Sequence, residues 1–113
     1  MKIIRDKIKL LELKEMAQNM YGNMVKAVVD VEKGLMAIGG ELHSDEEESL
    51  LEDGSRQKDL WGINIYPDKS GDEFIEFDSM INIKPSQNNR SRGVDDLKIR
   101  EKIIKIINSL IVY

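Results

Sequence analysis

Between Val25 and Ile38 the chain carries the pattern of a β-hairpin, and a hairpin commits its neighbours to an antiparallel sheet. Val25, Ala27, Val29 and Val31 alternate with Lys26 and Asp30, the period of two that arises when successive side chains point to opposite faces of a half-buried strand. Glu32-Lys33-Gly34 breaks the run, with glycine where a tight turn needs positive φ. Leu35 to Ile38 then returns and is closed by Gly39-Gly40.

The flanking segments follow a helical period. Leu10, Leu13, Met16, Ala17 and Met20 predict a helix from about Lys9 to Tyr21, stopped by Gly22, and Lys2 to Ile4 before it has the length of a short strand. Ser44-x-x-Glu47 matches a capping box, in which the serine oxygen accepts a backbone N–H and the glutamate reaches back to the cap. A helix started there is anchored by Leu50 and Leu51 and ended by Asp53-Gly54. Trp61, Ile63 and Ile65 alternate as the next strand. Ile75, Phe77, Ile81 and Ile83 share one face of a further extended run, interrupted by Ser79. Asp95 is the expected N-cap of a last helix with the stripe Ile99, Ile103, Ile106, Ile107 and Leu110. The order α-β-β-α-β-β-α, without βαβ alternation, predicts an α+β domain spanning 1–113: an antiparallel sheet of about four strands with helices packed on one face.

Composition removes several function classes. With no cysteine among 113 residues, the chain has no disulfide scaffold, no thiol nucleophile and no thiolate zinc site. No apolar run reaches the length of a membrane span, and the charged N-terminus lacks a secretion signal, so a cytoplasmic protein without membrane partners is expected. A net charge of −4 and an aromatic share of 5% argue against nucleic acid. Charge is uneven, however. Gly34 to Ser55 holds seven acids and no Lys or Arg, whereas Lys84 to Gly93 holds Lys84, Arg90 and Arg92 and no acid.

Two segments concentrate chemistry. In extended chain, Glu41, His43 and Asp45 would share a face and could converge on a cation, yet Asp45 is better explained as a first-turn acid and His43 is the only histidine. His43 with Glu41 as its orienting carboxylate also has the makings of a general acid–base pair, but no nucleophile in a recognisable setting accompanies it. The loop Ser86 to Gly93, with Asn89, Arg90, Ser91 and Arg92 as its candidate binding groups, could clamp a phosphate or carboxylate just before a helix. Asp95-Asp96 opposes an anion at that helix end. Trp61, Asn64 and Tyr66 could line a pocket, although aromatics on a strand are more often core or sheet surface.

The segments Gly39-Gly40-Glu41-Leu42-His43, Leu60 to Pro67 and Met80-Ile81-Asn82-Ile83-Lys84-Pro85 occur here in an order that resembles a family of small bacterial and archaeal proteins catalogued as a domain of unknown function. The resemblance covers nearly the whole chain. It implies a compact single-domain prokaryotic protein and assigns a role to no residue.

Two functional readings follow. In the first, the chain is a non-catalytic binding or regulatory module, monomeric or weakly dimeric, that engages a protein or a small anionic ligand through its polar loops and needs no cofactor. In the second, it is a small metal-assisted enzyme that uses Glu41 and His43 with an Arg90/Arg92 clamp. The lack of a catalytic set favours the first. The second requires the two loops to meet.

Overall fold

The computed structural model describes residues 1–113. Its centre is a five-stranded antiparallel sheet. β1 (Lys2–Ile4) lies at one edge, followed in space by β4 (Leu35–Ile38), β3 (Val25–Asp30), β5 (Leu60–Ile65) and β6 (Ile75–Glu76) at the other edge. β2 (Ile8–Lys9) pairs instead with β7 (Ile111–Val112), in parallel, as a separate two-stranded sheet. The helices are α1 (Leu10–Asn19), α2 (His43–Glu52) and α3 (Leu97–Leu110).

The hairpin forms as expected: Ala27 opposes Ile38, Val29 opposes Met36, and Gly34 turns the chain with φ 70°. Asp30 tightens that turn, its Oδ1 accepting the Glu32 and Lys33 backbone N–H groups, both at 2.9 Å. Two further expectations hold with small shifts. α1 ends where Gly22, at φ 92°, donates its N–H back to the Ala17 carbonyl at 2.6 Å. α3 buries Ile103, Ile107 and Leu110, but its cap is Asp96, whose Oδ1 accepts the Lys98 N–H at 2.9 Å; Asp95 lies just outside.

The expected four-stranded sheet with helices on one face is wrong in three respects. First, the sheet is covered on both faces. Val25, Ala27, Val29, Met36, Ile38, Trp61, Ile63 and Ile65 meet α1 and α3 on the first face. Val28, Leu35, Ala37 and Leu60 meet Leu50 of α2 on the second. β3 is therefore buried on both sides, and Lys26, Val28 and Asp30 belong to an interior face. Second, the strand count is larger, because β1 joins β4 and the chain ends pair as β2 and β7, while the three helices are as expected.

Third, the extended run from Ile75 to Ile83 is not one strand. Pairing stops after Glu76, and the chain turns through short 3-10 segments at Met80–Asn82 and Pro85–Gln87. In place of a strand, the Asn82 side chain serves the edge of β5. Its Oδ1 accepts the Gly62 N–H at 2.8 Å and its Nδ2 donates to the Gly62 carbonyl at 2.9 Å, the two bonds a neighbouring strand would make. Glycine is required opposite it: a Cβ on Gly62 would sit 2.6 Å from both Cβ and Oγ of Ser79.

Candidate functional site

The capping box does not form. α2 begins at His43, with Leu42 at the cap position and no side-chain cap, so Ser44 is an exposed first-turn residue. Two other contacts fix the helix start. The His43 Nε2–H donates to the Ile63 carbonyl at 2.7 Å, pinning the first turn to β5. Glu46 reaches back so that its Oε2 accepts the Gly40 N–H at 3.0 Å. Glu46 is fully buried, and desolvation pushes its pKa up to about 9 against the opposing pull of that hydrogen bond. It is a neutral acid at pH 7.

Because His43 and Asp45 sit in a helical turn, they and Glu41 do not line one face of an extended strand. Glu41 and Asp45 are exposed, and no three His, Asp or Glu side chains are grouped so as to hold a metal ion. The metal constellation read from the spacing is thus dissolved by the helix. His43 is buried, and burial lowers its pKa; Lys26 and Arg92 press the same way, while the Ile63 carbonyl and Asp78 oppose. The ring is neutral at pH 7, and with Nε2 carrying the proton, Nδ1 is an acceptor.

The arginine loop folds inward. Asn89 is its clip: Nδ2 donates to the carbonyls of Asn82 at 2.7 Å and Gly93 at 2.8 Å, and Oδ1 accepts the Asp95 N–H at 2.8 Å. Its amide is spent on the fold. Ser91 donates to Asp95 at 2.7 Å, and Arg90 is exposed. Lys84 is buried beneath the loop, its Nζ donating to the carbonyls of Gln57 and Leu60 and lying 4.3 Å from the Trp61 ring centroid. Burial pulls its pKa down to about 8.

Arg92 alone turns back across the sheet, and there it meets His43. Both line one cleft of about 400 Å³ together with Lys26, Asn64, Tyr66 and Glu76. Arg92 Nε donates to Asp78 Oδ1 at 2.7 Å. Asn64 Nδ2 donates to Glu76 Oε1 at 2.8 Å, and the Tyr66 hydroxyl donates to the same oxygen at 3.1 Å. Burial, then Glu76, raises the Tyr66 pKa. Asn64 is only 5% exposed, and its Oδ1 has no donor. Leu42 and Met80, both exposed, form an apolar rim.

Of the six residues singled out in the sequence, the fold therefore brings His43 and Arg92 together and leaves Glu41, Asn89, Arg90 and Ser91 outside the cleft. Lys26, Glu76 and Asp78 carry no signal of their own in the sequence, since each reads as the polar face of a strand. Asn64 and Tyr66 do line the cleft, but Trp61 belongs to the first-face core. A larger groove of about 930 Å³ runs beside α3, yet no unpartnered buried polar atom lies in it. Its Arg100 is held by the Val94 carbonyl at 2.5 Å and lies over the Phe77 ring.

No helix is long and apolar enough to cross a membrane. Neither a curated protein nor a solved structure matches the chain. A family model does match, over residues 2–110, and the chain belongs to the family described as Protein of unknown function (DUF5674).

Proposed function

We propose that the chain is a non-catalytic binding module whose site is the His43–Arg92 cleft and whose ligand is a small molecule bearing an anionic group. The observation that carries this reading is the cleft itself, where the fold brings His43 and Arg92 together with Lys26, Asn64 and Tyr66. Lys26 has no carboxylate within ion-pair distance, and Arg92 spends only part of its guanidinium on Asp78, which supports an anionic group on the ligand. A catalytic reading lacks parts: the only histidine donates its proton to a backbone carbonyl, and no hydroxyl is hydrogen-bonded to it as a nucleophile would be.

The test is a titration of the intact, isotope-labelled chain with acetate, succinate and inorganic phosphate, followed by amide and side-chain NMR shifts. Saturable shifts are expected at His43, Asn64 and Arg92, and should vanish in Lys26→Met combined with Arg92→Gln. If no anion moves those signals, or the double variant binds as well as the parent, the reading fails.

A further inference from the structure

Lys26, Asn64 and Glu76 form one cross-strand row. Lys26 opposes Asn64 between β3 and β5, and Asn64 opposes Glu76 between β5 and β6. Directly paired residues project from the same face, so the row places a cation, an amide and a carboxylate side by side across the cleft floor, with strands about 4.8 Å apart. The two ends are about two strand spacings apart and make no ion pair with each other. Arg92 and Asp78 neutralise one another through their 2.7 Å contact, leaving Lys26 and Glu76 as the charges without an opposite partner.

We infer, building on the binding reading above, that the cleft takes a small zwitterion of the α-amino-acid type with an apolar substituent. The donor inventory sets the ammonium end. Asn64 Nδ2 donates to Glu76 Oε1 and to the Asp78 carbonyl, which holds the Glu76 carboxylate at the cleft floor. Glu76 receives both its protein donors on Oε1, so Oε2 is uncommitted. His43 Nδ1 is a second acceptor without a protein donor. A primary ammonium can donate to both and keep its third N–H for water. At the other end, Lys26 and the unspent nitrogen of Arg92 receive the carboxylate. Leu42 and Met80 on the rim cover the apolar substituent, and about 400 Å³ is the volume of a site for one small molecule. An anion alone would leave Glu76 uncompensated, and a cation alone would leave Lys26 so.

The probes are L-leucine and its two half-molecules, 4-methylpentanoate (without the ammonium) and 3-methylbutylamine (without the carboxylate), titrated into the intact chain with NMR shifts at His43, Asn64, Glu76 and Arg92 as readout. Leucine should bind at least tenfold more tightly than either half. Glu76→Gln should erase its advantage over 4-methylpentanoate, and Lys26→Met its advantage over 3-methylbutylamine. If 4-methylpentanoate binds as tightly as leucine, or only phosphate or succinate moves these signals, the zwitterion inference falls and the anion-binding module stands. Silence from every probe overturns both.

Discussion

On one face of the sheet, α1 and α3 close over the larger apolar cluster, whose only side-chain N–H is that of Trp61, buried without a partner. On the other face the apolar cluster is only five residues, Val28, Leu35, Ala37, Leu50 and Leu60. The space around it is filled by buried polar side chains: Asp30 and Asn64 from the strands, His43 and Glu46 from α2, and Ser79, Asn82, Lys84 and Asn89 from the loop. The first face is held by area removed from water, which is non-directional and tolerant of repacking. The second is held by hydrogen bonds whose partners are specified one by one, and losing a partner there strands the other in a dry site. The candidate cleft opens on the second face, where the scaffold already fixes polar groups in place.

That contrast is broken most directly at Asn82. Asn82→Leu keeps the volume but leaves the Gly62 N–H and carbonyl without their partners, and also removes the bond to the Arg92 carbonyl. A loss of about 3–5 kcal/mol in urea unfolding is expected, against about 0.5–1.5 kcal/mol for Ile103→Val in the first-face core. Equal losses would mean that the second face is an ordinary apolar core.

Glu46 gives the next largest effect. Its folded pKa, about 9, lies above the unfolded value near 4.5, so the folded state holds the proton more tightly. The resulting stability is present in full below pH 4.5 and declines as pH rises towards 9. With one pKa unit worth about 1.4 kcal/mol, the decline between pH 6 and pH 8 is up to about 2–3 kcal/mol. Glu46→Gln should flatten that part of a stability–pH profile measured by urea unfolding. A profile unchanged by the substitution would show that Glu46 ionises in the folded protein at its ordinary pKa.

What the sequence revealed, and what it concealed, follows the same division. The hairpin and the α3 stripe were legible because burial on the first face imposes a period. Leu35-Met36-Ala37-Ile38 carried a further signal: an unbroken apolar run is the mark of a strand covered on both faces. The alternation in β3 hid this, since Lys26 and Asp30 are buried or partly buried polar residues on an interior face. The polar side was illegible in kind. Asn82 and Asn89 stand in for backbone by satisfying N–H and carbonyl groups with a side-chain amide, and no spacing rule marks such a residue. The capping box was overridden because one bond from His43 to β5 started the helix earlier. His43 and Arg92 were each visible as chemistry. Their meeting depends on how Asn82 and Asn89 fold the loop.

The smallest expected change in stability belongs to Asn64, a polar residue that the second face holds for a ligand rather than for the fold. Asn64→Leu removes the unpartnered Oδ1 and gives up bonds to Glu76, which water can replace, and to the Asp78 carbonyl at 3.4 Å. Exchange of a poorly satisfied buried amide for an apolar side chain of similar volume should shift unfolding by less than about 1 kcal/mol, in either direction. The decisive measurement is stability and leucine binding on the same Asn64→Leu sample. The variant should fold as stably as the parent and no longer bind. A variant destabilised as much as Asn82→Leu, yet binding like the parent, would contradict that role for Asn64.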